Sequence, residues 1–505
     1  MKKILLLLAL PGLFSCQTTP KLPKTANADW TATLPGTVAL SSPRLADLNA
    51  DGVDDVVMGA GSTEWHRSDT AIIALDGRDG ELLWRRPARN QIFGSATFLD
   101  INHDKTPDVL IGGRSAELQA IDGRTGRLLW EFLQTDELMG HKKAGWYNFT
   151  NAQLVPDVDG DMLDDLLIAN GGDATIPDNT RPRPVGRLLI LSSKTGRVLR
   201  EARMPDGRET YCSPVLVKQP GQPAGRWTLL FGTGGEAIGG HFYRTTLGEL
   251  MRGDLSKAIP LAEERFKGFC APPVVCNLTA DAIPDFVLNT VAGRTLAVDG
   301  ATNKLLWQFS YPNCETFSVP APGFFAGNDT IPDFFVNYAV GVYPFYTNGL
   351  AFLLDGKTGR VVTQFSAGSF SYASPLVADF DNDTHDDALL VVNDDREKGG
   401  KWRAFAHLKI YDFHNNRQYN LTDSLTGANF AITPWLGDLD HNGKLDVVFG
   451  TTAAVTKSFP GKSTYDVVPL QVRVARRKLV RNPANSSRWS SYMGRGGDGL
   501  FLNPR

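Results

Sequence analysis

Cysteine is scarce in this chain, with five in 505 residues, and that excludes a disulfide scaffold. A basic surplus is also missing: 52 Lys+Arg against 55 Asp+Glu leave a formal charge of −3 at pH 7. With so little charge to neutralise phosphates, nucleic acid is not an expected partner. Past the first fifteen residues there is no apolar run long enough to cross a membrane, and no convincing amphipathic helical period. The chain does have 50 Gly and 30 Pro, 42% hydrophobic and 21% charged residues. This is the composition of a globular, turn-rich protein.

The N-terminus carries Lys2-Lys3 and then an apolar run from Ile4 to Phe14, too short for a mature span and suited to a secretory signal over residues 1–15. The run ends Leu13-Phe14-Ser15-Cys16, which resembles the bacterial lipobox. The resemblance implies acylation of Cys16 and a membrane-anchored lipoprotein of the cell envelope. Residues 16–29 read as a polar tether. Gln17 follows the cysteine where inner-membrane retention is associated with Asp, which leans the expectation towards the outer membrane.

One unit of roughly 50–60 residues then repeats eight times. It consists of a β-run, an acidic loop, a second β-run, a variable stretch and a closing turn such as ALDGRDGELLW (74–84) or AIDGRTGRLLW (120–130). Acidic loops begin at Asp47, Asp100, Asp157, Asn277, Asp379 and Asp438, and two longer gaps each hide a degenerate copy. Four short strands per unit, repeated eight times, predict a single β-propeller over residues 30–475, with seven blades as the alternative. The last unit supplies three strands and Trp30–Leu34 reads as a fourth, so the N-terminal strand should close the C-terminal blade. Residues 476–505 are left over as a tail.

The loops 47–55, 100–108, 157–165, 379–387 and 438–446 resemble the calcium loops of FG-GAP repeats in integrin-type propellers, a group that includes VCBS-like repeats. The AIDGRTGRLLW turn is similar to the tryptophan-docking motif of PQQ-like quinoproteins. Oxygens at positions 1, 3, 5 and 9, with a backbone carbonyl at 7, suit a hard cation. The expected calcium ligands are Asp47, Asn49, Asp51 and Asp55; Asp100, Asn102, Asp104 and Asp108; Asp157, Asp159, Asp161 and Asp165; Asp379, Asp381, Asp383 and Asp387; and Asp438, Asp440, Asn442 and Asp446. Asx-turns are the competing account of the same residues. Asn277, Thr279, Asp281 and Asp285 form a weaker set, and the unit with Asp329 and Asp333 is expected to be empty. Trp84, Trp130 and Trp307 should wedge between neighbouring blades.

The acidic loops and "DG" turns fall on one face of such a disc, and irregular insertions fall on the other. Those insertions carry Trp65, His66, His141, Trp146, Glu236, His241, Tyr243 and Tyr343, the candidate contacts for a ligand at the channel mouth. Cys212, Cys270, Cys276 and Cys314 allow three disulfide pairings, and their spacing fits neither a zinc site nor a Cys–His nucleophile. The leading expectation is a monomeric, non-catalytic, calcium-stabilised envelope propeller binding a protein or glycan. The quinoprotein resemblance offers a PQQ-dependent dehydrogenase instead, but those enzymes carry an adjacent Cys-Cys pair and this sequence has none. A polysaccharide-active propeller, similar to rhamnogalacturonan lyases, is the third reading.

Overall fold

The computed structural model describes residues 29–132, 146–173, 176, 180–219, 221–325, 330–398, 401–453 and 470–502. Cys16, His141 and Asp329 lie outside them. Eight sheets of four or more antiparallel strands form an eight-bladed β-propeller. Blade 1 has Arg44–Ala46, Asp55–Gly59, Ser68–Leu75 and Leu82–Ala88 from axis to rim, and here these four positions are called strands A to D. Blade 8 takes Trp435–Gly437, Lys444–Ala453 and Gln471–Pro483 from the C-terminal region. Its rim strand is Trp30–Pro35, paired in register from Trp30↔Arg476 to Pro35↔Gln471. The ring is therefore closed by the N-terminal strand.

Burial follows the radial position of each strand. Strand B lies between two neighbours and between two blades, so Asp55–Gly59, Asp108–Gly112 and Asp165–Gly171 are buried throughout. Rim strands such as Leu305–Ser310 bury little beyond Trp307. This is why the sequence shows short continuous apolar runs beside weakly alternating ones. A fully buried Val, Leu or Ile stabilises by about 1.5–3 kcal/mol, and each blade interface holds several.

Tryptophans lock adjacent blades together. Trp30, Trp84, Trp130 and Trp307 donate their indole N–H to Gly77, Gly123, Ser193 and Gly356 carbonyls in the next blade's C–D turn, at 2.7–2.9 Å. The expected wedging of Trp84, Trp130 and Trp307 is what the structure has, with Trp30 as a fourth example. The second glycine of the motif is required by this docking. Gly126 has φ +70°, and a Cβ there would come within 2.7 Å of Trp84.

Residues 476–502 are not a tail. The strand Gln471–Pro483 continues through them, and the chain then turns into the axis of the ring. Ser486 accepts a hydrogen bond from Asp379 N on the acidic-loop face. Ser487–Trp489 pairs with the inner strand Leu376–Ala378 of blade 7. Tyr492 lies close enough to interact with Cys212 and Cys270, which precede inner strands at the opposite face. The chain returns alongside Val275, which donates to Gly499 O and accepts from Phe501 N at 2.8 Å each. Arg44 of blade 1 holds Ser491 and Tyr492 by two 2.7 Å hydrogen bonds. The Gly-rich composition of this hairpin follows from the confinement: at Gly497, φ +66°, a Cβ would meet the Arg44 guanidinium at 2.5 Å. A hairpin of C-terminal chain thus occupies the propeller axis, packed on blades 5–7, and leaves a cavity of about 420 Å³ beside it, lined by Arg44, Thr97, Gln153, Leu216, Trp435 and Asp498.

Candidate functional site

On the acidic face, the ninth residue of each loop lies at or near the start of strand B and is buried: Asp55, Asp108, Asp165, Asp387 and Asp446 are at most 2% exposed. Its carboxylate accepts the amide of the loop's second residue, as from Leu48, Ile101, Val158, Phe380 and Leu439 at 2.7–3.1 Å. Its other oxygen accepts the C–D turn amide of Gly77 or Gly123 at 3.0–3.1 Å. This residue therefore clasps the two turns of a blade together. Burial is the first cause that raises these carboxyls, Asp55 to about 7, Asp165 and Asp446 to about 6 and Asp387 to about 8, with neighbouring carboxylates adding to it. A cation beside them would remove that penalty.

Positions 1, 3 and 5 form Asx-turns as well. Asp47 accepts Asp51 and Gly52 amides, Asn49 accepts Asp51 N, and Asp51 accepts Val53 N, at 2.9–3.2 Å. Convergence differs between loops. Asp157, Asp159 and Asp165; Asp379, Asp381 and Asp387; and Asp438, Asp440 and Asp446 each bring carboxylate oxygens within 4.8 Å of one another. In blade 8 the protein supplies its own cations: fully buried Arg476 meets Asp440 at 2.7 Å and Asp446 at 3.0 Å, and Lys478 also meets Asp440. In blade 7, Arg417 pairs with Asp381 and Asp412. Arg78 pairs with Asp51 in blade 1 at 2.9 Å, and Arg124 reaches Asp104 in blade 2 at 4.0 Å. In blade 2, Asn102 also turns its amide towards Asp108 and Asp122. Among the described residues, the blade 3 loop has no such ion pair, and one Asp161 oxygen is buried without a partner. Sequence spacing presented five equivalent loops; the basic residues that distinguish them come from elsewhere in the chain.

On the opposite face, the candidates separate. Trp65 lies under the Arg114 guanidinium at 5.0 Å, and His66 is exposed, bonded to Thr63. Trp146 packs edge-on against Phe132 at 5.0 Å and under Arg187 at 4.8 Å. His241 is tied to Asp206 at 3.0 Å. Tyr243 is a core residue, 6% exposed and stacked on Phe231, because it points inward from strand C of blade 4. Contrary to expectation, it packs in the core and is not a ligand contact. Tyr343 is 55% exposed at the tip of the long blade 6 hairpin. Glu236 is exposed and acts electrostatically on both Cys270 and Tyr372, which places it towards the mouth.

The sequence reading missed the residues around the mouth itself. The crossings into the inner strands present Phe93, Tyr211, Cys270, Phe317 and Tyr372, all mostly buried with an edge exposed. Phe317 and Tyr372 approach to 4.3 Å, and Tyr346, Phe370 and Phe430 extend the aromatic group. Next to Tyr211, at the crossing from blade 3 to blade 4, Arg183 and Glu209 form a buried 2.7 Å pair. Glu315 is bound by Lys267, by Tyr346 and by Tyr343 N. A signal existed: a large residue or Cys stands four positions before the inner strand in YCSP, FCAP, FSVP and YASP. All four described cysteines are free thiols. Burial pushes Cys212 up to about 12 and Cys270 well above the usual thiol range, so neither is an activated nucleophile. Burial likewise raises Tyr211, Tyr346 and Tyr372.

These features define an eight-bladed propeller with a C-terminal hairpin in its axis, a clasped acidic face and an aromatic mouth. Residues 30–221, from the closing strand to the inner strand of blade 4, match the model of the FAM234A/B beta-propeller family. No curated protein matches the chain in sequence. Among solved structures it is similar to a europium-containing methanol dehydrogenase, 13% identical with TM-score 0.51, covering 88% of this chain and 93% of that one. A quinohemoprotein alcohol dehydrogenase from Comamonas testosteroni is 10% identical with TM-score 0.50, over 89% and 76%. BamB from Moraxella catarrhalis is 12% identical with TM-score 0.43, over 88% and 98%. At these identities the likeness is one of fold: the chain is a propeller of PQQ-like architecture.

Proposed function

We propose that this protein is a non-catalytic, calcium-stabilised propeller of the bacterial envelope that binds a protein or glycan at its aromatic mouth. The observation that carries this reading is the C-terminal hairpin. It occupies the axis with Trp489, Tyr492 and Met493, leaves only a side cavity of about 420 Å³ in the channel, and so favours recognition by the loops above it. Residues present do not fit a quinone cofactor: the hairpin occupies the axis, and Cys212 and Cys270 stand on crossings into different blades. Of the mouth carboxylates, Glu209 and Glu315 are held by Arg183 and Lys267, which disfavours them as an acid–base pair for a lyase.

The position of the N-terminal strand would give a lipid anchor a direction. Asp29 is bonded to Lys478 N, and Trp30 to Gly77 O, on the acidic-loop side. A lipid on Cys16, through a tether of residues 16–29, would then hold the acidic face towards the membrane and turn the mouth away from it. One acyl chain binds marginally and a triacylated cysteine firmly. The test has two arms. Cys16→Ser should move the protein from the membrane to the soluble fraction; unchanged membrane association refutes the lipid anchor. A glycan array and an envelope pull-down should give a ligand whose binding is weakened by Trp65→Ala and Tyr343→Ala, with melting within about 0.5 kcal/mol of wild type. Normal binding by both variants, with loss in folded acidic-loop variants, would transfer recognition to the other face.

A further inference from the structure

Blade 7 departs from the other blades where its two turns meet on the acidic face. The seventh residue of the acidic loop and the third of the C–D turn are Val53 and Arg78 in blade 1, Thr106 and Arg124 in blade 2, and Leu163 and Lys194 in blade 3. In blade 2 that arginine crosses over to bond the threonine hydroxyl at 2.6 Å. In blade 7 the same two positions are His385 and His414, whose rings lie face to face with centroids 3.7 Å apart and planes 8° from parallel.

Asp383 completes the group. Its Oδ1 accepts the His385 amide at 2.8 Å and lies 3.5 Å from His385 Nδ1, a buried nitrogen without a hydrogen-bond partner. Asn415 holds the other carboxylate oxygen at 2.8 Å. Asp383, His385 and His414 each offer one donor atom, all within 4.8 Å of one another. Among the described residues, no other such cluster of three donors contains histidine. Arg417 does not complete its charge balance here, since its partners are Asp381 and Asp412.

We propose that Asp383, His385 and His414 form a surface site for zinc or a similar borderline divalent transition metal. The donor set decides the class. Calcium takes oxygen ligands only, whereas two imidazoles and a carboxylate are donors that zinc shares with nickel, copper and cobalt. Tetrahedral zinc, with bonds of about 2.0–2.2 Å, needs donors about 3.3–3.5 Å apart, so the group must draw in from separations of up to 4.8 Å and the two rings must turn out of their parallel stack to aim at one ion. His414 is exposed and can swing to supply that movement. Asn415 bonded to the carboxylate is the kind of outer partner that orients a metal ligand. Remaining positions on the metal are open to water. The site stands on its own donors and does not require the calcium reading of the acidic loops.

The experiment uses the full chain, free of any affinity tag and stripped by chelator, titrated with zinc by calorimetry in buffer containing millimolar calcium. The wild type should take up one equivalent. His385→Ala, His414→Ala and Asp383→Asn should each weaken uptake at least about tenfold. Cobalt(II) should give visible bands in the wild type that disappear in both histidine variants. His414→Ala, a change at an exposed ring, should melt with the wild type when metal is absent, which separates lost ligation from lost folding. A wild type that takes up no zinc at micromolar concentrations overturns the proposal. So does zinc uptake unchanged in both histidine variants.

Discussion

Replacing Trp489 with alanine tests whether the C-terminal hairpin belongs to the fold. Trp489 is 0% exposed and lies in a cluster with Val319, Phe325, Phe335, Val377 and Phe501. Its ring centroid is 6.2 Å from that of Phe501, and it sits so close to Gly494 that a Cβ there would come within 2.6 Å. The indole nitrogen has no hydrogen-bond partner. The loss is thus one of apolar contact plus the cavity left behind, and a buried Trp→Ala change costs about 3–5 kcal/mol. A tail lying on the surface would change stability by about 0.5 kcal/mol or less. The two accounts differ several-fold, well beyond the error of chemical denaturation followed by near-UV circular dichroism. Trp489→Phe should cost less than half as much, because most of the space stays filled. A change below about 1 kcal/mol for the alanine variant, with the denaturant slope unchanged, would refute the hairpin as a structural core.

Arg476→Met should destabilise by about 3–5 kcal/mol in chemical denaturation, because it leaves Asp440 and Asp446 buried without their guanidinium. Equal stability would mean that a bound cation or protonation already neutralises that loop. In chelator, melting temperature should fall as pH rises from 5 to 8. Burial raises Asp55, Asp165 and Asp387 to about 7, 6 and 8, above an unfolded value of about 3.9, so their contribution is full below the unfolded pKa and is lost through the folded ones. Calcium should flatten that profile and add about 2.7 kcal/mol per site at 100 times its dissociation constant; identical melting with calcium and chelator excludes the metal. Asp159→Ala should remove more of the calcium effect than Asp440→Ala, whose carboxylate already has Arg476 and Lys478; the reverse order in differential scanning fluorimetry would refute the assignment. Gly126→Ala should lower the melting temperature by forcing a Cβ against Trp84 at a φ that only glycine adopts easily, and an unchanged value would count against the docking geometry.

Sequence alone determined the features that repeat. The β-runs, the acidic turns and the "DG" turns are local chemistry, each readable within about ten residues, and their recurrence fixed eight units and the closure by Trp30–Leu34. The tryptophan wedge was legible for the same reason, since a large aromatic at a repeated rim position has one place to go. What the tertiary structure decided are the single occurrences. Nothing in the local pattern of residues 484–502 says that they turn into the axis, because the inner strands that receive them are more than a hundred residues away or at the other end of the chain. The five acidic loops look alike by spacing, yet Arg476 and Arg417 neutralise two of them from other strands and leave Asp157–Asp165 without an ion pair among the described residues. Tyr243 reads as a loop aromatic, but strand C turns it into the core. His385 and His414 stand 29 positions apart and meet because the hairpin between them returns the chain to the same face. Repetition is written in short-range turn and strand chemistry; the axial hairpin, the charge partners and the histidine pair depend on contacts that exist only once the ring has closed.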